Sequence, residues 1–103
     1  MTVNDCIAIT IMEECAELQQ AVSKSLRFGL DKYNPLNPEK SNAENIILEY
    51  YQLQAMMDLY IRQLDLYRLC SEDKIKQIQE DKINKFLNIQ NYEDWNGQVY
   101  EQV

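Results

Sequence analysis

Histidine is absent from this 103-residue chain, which removes the Ser/His/Asp triad, the Cys–His pair and the His-containing zinc sites from consideration. The three cysteines, Cys6, Cys15 and Cys70, are odd in number and form no C-x-x-C pair. They spell neither a disulfide framework nor a zinc ribbon, and Cys6 and Cys15 are expected to pack as small hydrophobes in a reducing compartment. Glycine and proline number two each, too few for the turns of an all-β domain, so the expected fold class is all-α. No apolar run reaches transmembrane length, and the opening MTVNDCIAIT lacks the charged start and small-residue cleavage site of a secretory signal. A cytoplasmic protein without a membrane partner is expected. Positive charge is scarce too. Ten Lys and Arg against 17 Asp and Glu leave a formal net charge of −7, which argues against wrapping a nucleic-acid backbone.

What the chain has is helical patterning and acids. Hydrophobic residues make up 46% of it, enough for one core, and a single helical domain over residues 1–90 with a tail at 91–103 is expected. The dominant stretch is IMEECAELQQAVSKSLRF, residues 11–28. At about 100° per residue, Ile7, Ile11, Cys15, Leu18, Val22 and Leu26 form one apolar stripe, while Glu14, Glu17, Ala21 and Lys24 form a row along its flank. Acids three apart are common on solvated helix faces. A second polar pair further on raises this one to a candidate site.

The first helix is predicted over residues 4–28, with a cap between Thr2 and Asp5 and a stop at Gly29. LDKYNPLNPEK, residues 30–40, contains both prolines and reads as an irregular connection with at most one short turn of helix. Its Lys32 and Tyr33 either close over a site or stand on a plain surface loop. Ser41 to Glu44 spells S-x-x-E, a capping box, and no Gly or Pro interrupts the chain from there to Cys70, so a second helix is predicted over 42–69. Its apolar residues make two stripes: Ile46, Tyr50, Leu53, Met57, Tyr60, Ile61 and Leu64 on one side, Leu48, Ala55, Leu59 and Leu66 on the other. The second stripe wants another helix or a partner subunit. Ser71 is placed to cap a third helix, 72–90, in which Lys82 lies within the apolar stripe. That lysine either snorkels from a core edge or aims its ammonium at acids or a phosphate.

Glu49 is the anomaly of the second helix, because it points to the apolar side, where an unpaired carboxylate is costly. A metal, a cation partner or an edge position would each account for it. Gln52 shares its gap, and Asn45 lies one turn earlier. Glu14 and Glu17 facing Glu49 and Gln52 make a set of oxygen donors, the ligand type of a hard cation such as Mg²⁺ or Mn²⁺. A free nucleotide suits such a site despite the net charge, since a few local cations and a divalent metal suffice to hold its phosphates.

The pieces E-C-A-E-L (14–18), S-K-S-L-R-F-G (23–29), L-E-Y-Y-Q-L (48–53) and K-I-N-K-F (82–86) resemble the all-α nucleoside triphosphate pyrophosphatases. More narrowly, the chain is similar to the small MazG-like proteins of phages and bacteria. The resemblance spans roughly residues 5–90 and is strongest over 13–29. It implies a bundle of long antiparallel helices, completed as a homodimer or homotetramer, that uses Mg²⁺ to hydrolyse nucleoside triphosphates to monophosphate and pyrophosphate. Carried over position by position, it makes Glu14, Glu17, Glu49 and Gln52 the metal ligands and gives Glu13 or Glu17 the orienting of the attacking water. Lys24, Arg27 and Lys82 would bind phosphates, and Asn45 and Tyr33 the base or sugar. Gln52 stands where the family has Asp, leaving three carboxylates in the four positions. A catalytically weakened member that binds or sequesters a nucleotide is the alternative reading, and a structural helical adaptor a further one.

Overall fold

A computed structural model describes residues 1–89. It is mostly helical. Helix α1 (Val3–Phe28) opens on a reciprocal cap in which the Thr2 hydroxyl accepts from the Asp5 N–H and the Asp5 carboxylate accepts from the Thr2 N–H, each at 3.1 Å. It stops at Gly29, whose N–H donates to the Ser25 carbonyl at 2.9 Å. The backbone there takes φ 102° and ψ 148°, a region open to glycine alone.

The connection corrects the expectation of an irregular loop. Strands β1 (Tyr33–Asn34) and β2 (Asn37–Ser41) pair antiparallel, Tyr33 opposite Ser41 and Asn34 opposite Asn37. Pro35 presets the turn between them, and the Asn34 side-chain oxygen accepts the Leu36 N–H at 2.9 Å. The fold is therefore mostly helical with a small hairpin, where all-α was expected.

Helix α2 (Asn42–Gln63) starts on the predicted capping box, Ser41 with Glu44. It ends seven residues short of Cys70. Asp65 takes φ 53°, the Asp65 N–H donates to the Arg62 carbonyl at 3.2 Å, and the Leu66 N–H donates to the Ile61 carbonyl at 2.9 Å. Those two bonds define a Schellman stop with Asp in the place usually held by Gly. A short 3₁₀ turn (Tyr67–Leu69) follows, then α3 (Glu72–Ile89), whose first turn is capped by the Ser71 hydroxyl accepting from the Lys74 N–H at 3.1 Å.

The chain divides into two compact units, Met1–Tyr67 and Arg68–Val103; the predicted tail at 91–103 lies outside the described residues. In the first unit Lys24, near the end of α1, shares a cleft with Asn42 at the start of α2, while Glu14 and Glu17 meet Glu49 further back. The two helices thus run antiparallel. Ile7 and Ala21 are the buried hydrophobic residues among those described. Half-buried Ile11, Glu14, Leu18 and Ser25 complete the α1 seam, against Ile46, Glu49, Leu53, Met56 and Tyr60 of α2. The seam is rotated from the predicted stripe: Cys15 is exposed, and Val22 and Leu26 are 42% and 83% exposed. Cys6 is exposed as well, so neither cysteine packs as expected. Tyr50, Met57 and Leu64 of the first predicted α2 stripe also face outward, whereas Leu59 and Leu66 of the second are half-buried. One facing helix covers only a narrow strip, and residues a step off it are left in water. No helix among the described residues is long and apolar enough to cross a membrane.

Candidate metal centre

Rotation of α1 carries Glu14 from the flank into the seam itself, directly against α2. Glu14 and Glu49 are half-buried, Glu17 is exposed at the rim, and one carboxylate oxygen from each lies within 4.8 Å of the others. Oε2 of Glu14 and Oε2 of Glu49 are shut off from solvent without a hydrogen-bond partner. A buried carboxylate oxygen left so loses its hydration without compensation. Burial holds the Glu49 carboxyl above its ordinary pKa, reinforced by a hydrogen bond with Glu17 and by the negative charges of Glu17 and Glu14. Only a proton or a cation relieves such a cluster. With oxygen donors alone, the cation that fits is hard, Mg²⁺ or Mn²⁺.

Beside the acids opens a cleft of about 320 Å³. Glu17 and Glu49 form one end, Lys24 stands on its wall, and amide side chains line the rest: Gln20, Asn34, Asn37 and Asn45. Lys24, Asn34 and Asn42 also border a second cavity of about 470 Å³, walled by Phe28, Tyr33 and Pro35. The N-terminal amides of α2 take no part in ligand binding, because Asn42 N–H donates to the Lys32 carbonyl, Ala43 N–H to the Leu30 carbonyl and Glu44 N–H to the Ser41 hydroxyl.

The structure brings together Glu14, Glu17, Glu49, Lys24, Asn45 and Tyr33 around these adjoining spaces. It leaves others apart. Glu13 is exposed and outside the acidic cluster, and Gln52 is exposed and lines neither space. Arg27 lies over the Phe28 ring, 4.9 Å from its centroid, and borders a groove on another face of α1 with Gln19 and Ser23. Lys82 is exposed on α3, in the second unit. Sequence reasoning overlooked Asn34, Asn37 and Asn42, although four asparagines between positions 34 and 45 were a visible signal. It overlooked Phe28 too, which nothing in the helical pattern distinguishes. Family models, curated proteins and solved structures offer no match to the chain.

Proposed function

We propose that the protein is a Mg²⁺-dependent nucleotide pyrophosphohydrolase that converts a nucleoside triphosphate to monophosphate and pyrophosphate. One observation carries the reading: the orphaned Glu14 and Glu49 oxygens stand beside Glu17 at the mouth of a cleft that holds a lysine and several amides. A bound Mg²⁺ supplies charge neutralisation on the phosphate oxygens and acidity to water. The residues would divide the remaining work. Glu14 and Glu49 hold the ion, and Glu17, at the exposed rim, orients the attacking water and takes its proton. Water oxygen bonds to the α-phosphorus as the α–β bridging bond breaks, and the electron pair leaves with pyrophosphate. Lys24 offsets the phosphate charge, and the Gln20, Asn37 and Asn45 amides orient the chain of phosphates.

Two or four copies of the chain complete the bundle in this proposal, covering outward apolar residues such as Met12, Tyr50 and Tyr51. A second reading, nucleotide binding without turnover, is favoured by the exposure of Gln52 and by a cluster of three acids in place of four. Incubation with a nucleotide panel, with and without Mg²⁺ and with products resolved by chromatography, separates the two. Pyrophosphate release that stops on chelation is the expected result. Binding without any product establishes the second reading, and neither binding nor product defeats both.

A further inference from the structure

The α1–α2 pair has two long sides that differ in chemistry. Counting about 100° per residue from the seam, Glu17 and Lys24 of α1 and Asn45 of α2 fall on one side, where the acidic cleft opens. The other side carries Cys15, Val22 and Leu26 of α1 and Ile47, Tyr50 and Met57 of α2. No Asp, Glu, Lys or Arg of either helix lies there, although charged residues make up 26% of the chain. A solvated helix face is not built that way. Yet the single chain leaves it bare: Leu26 is 83% exposed, Ile47 59% and Tyr50 48%.

Core size and area indicate what covers this side. Ile7 and Ala21 are the buried hydrophobic residues, and no large side chain among those described is fully buried. A helix pair with so little interior is marginal by itself, so its cover has to be present whenever the chain is folded. A second copy meets that condition, and a partner met only on occasion does not. Side by side, two helices are about 20 Å across, and α2, with 22 residues, is about 33 Å long. The side therefore spans roughly 660 Å², close to the about 800 Å² that each partner gives to a standard stable interface. An antiparallel helix pair is also half of a four-helix bundle, and the other half has the same shape.

We propose that two copies of the chain pack through this uncharged side, the same patch on each, into a four-helix bundle. The pairing rests on the assembly proposed above, not on the chemistry of the cleft, and assigns that assembly a face. Each cleft is then built by one chain and stays open on the outer side of the bundle. Pairing also divides the thiols of α1. Cys6 and Cys15 are nine residues apart, which places them on opposite sides of the helix, and both are exposed in the single chain. The second copy covers Cys15 and leaves Cys6 in water.

The test begins with the full chain, unsubstituted. Light scattering after gel filtration should give twice the 12.2 kDa chain mass. A maleimide pulse read by peptide mass spectrometry should label Cys15 about tenfold more slowly than Cys6, and urea should abolish the difference. Four copies with Cys15 protected are two such pairs and uphold the proposal. Leu26→Glu should weaken association by about a hundredfold or more, since the two-fold axis brings two unpaired carboxylates into one interface. Ser23→Glu, on the groove that Arg27 borders, should leave both the dimer and the Cys15 protection unchanged. A monomer overturns the pairing and the assembly together, whether another segment of the chain shields Cys15 or nothing does. A dimer in which Cys15 reacts like Cys6, or which Leu26→Glu leaves intact, overturns this face alone. Pyrophosphate release is scored separately, so the hydrolase reading stands or falls by its own assay.

Discussion

The two ends of the α1–α2 seam treat buried polar groups in opposite ways. At the hairpin end Asn42 and Ser41, the buried polar residues of the unit, are engaged: the Asn42 amide bonds the Gly29 carbonyl, its N–H bonds the Lys32 carbonyl, and the Ser41 hydroxyl caps Glu44. About four turns back along α1 from Gly29 and about two turns into α2, Glu14 and Glu49 each keep a solvent-shielded oxygen with no partner, and Glu17 adds charge to the same spot. The first end is finished by the chain itself. The second keeps carboxylate oxygens that nothing in the chain pairs, the arrangement that the proposed cation site would relieve.

Breaking the unfinished end should cost function and spare the fold. Glu17→Gln is expected to lower Mg²⁺-dependent turnover by about 10²–10³-fold, with an unchanged circular dichroism spectrum. Turnover equal to the parent's would remove the acids from the chemistry. Under the proposed function, adding Mg²⁺ should do the reverse and add stability, by about 2.7 kcal/mol at a Mg²⁺ concentration a hundredfold above Kd.

That gain depends on pH with a defined sign. Folded Glu49 keeps its proton to higher pH than the unfolded chain does, so the folded state binds more protons through that window. Metal-free stability should therefore fall as pH rises from the ordinary carboxylate range through the raised Glu49 pKa. Mg²⁺ competes with that proton, so the stabilisation it gives should grow over the same interval. Urea titrations with and without the ion measure both trends, and parallel curves at all pH values would contradict them.

At the finished end, Asn42→Ala leaves the Gly29 carbonyl with only the longer Lys32 N–H at 3.4 Å and should cost about 1 kcal/mol of stability, seen as a lower Tm with or without Mg²⁺. A Tm loss that Mg²⁺ fully abolished would show the two ends to be one coupled site. The smallest effect is expected from Gln52→Asp. An exposed charge one turn from Glu49 acts through solvent, so Mg²⁺ affinity should rise by about threefold. A rise of a hundredfold would place that side chain among the ligands.

Much of the framework was legible because it is local. Caps at Ser41 and Ser71 and the stop at Gly29 depend on groups within a few residues of one another. The acids were legible as well, since E-x-x-E and an inward Glu49 are visible in helical spacing. The Asp65 stop was not, because a search for Gly and Pro passes over an aspartate that adopts a left-handed conformation. The hairpin was hidden by its prolines, which led the segment to be read as an irregular connection, although Pro35 sits in the turn that joins the two strands. Arg27 was assigned by resemblance, and its guanidinium lies instead over the ring of the adjacent Phe28.

The sequence by itself determined where the helices begin, that the chain is mostly helical, and that oxygen ligands are the only metal donors it can bring together without cysteine. Those properties reside in composition and in hydrogen bonds spanning three or four residues. Tertiary structure decided which stripe of α1 faces α2, placing Glu14 in the seam and Cys15 in water, and it gathered Asn34, Asn37 and Asn42 against Lys24. An amphipathic helix with several apolar stripes has no preferred face until a neighbour covers one. The neighbour here is a single helix, and where it passes the acids it leaves a Glu14 and a Glu49 oxygen shielded from solvent and unpaired.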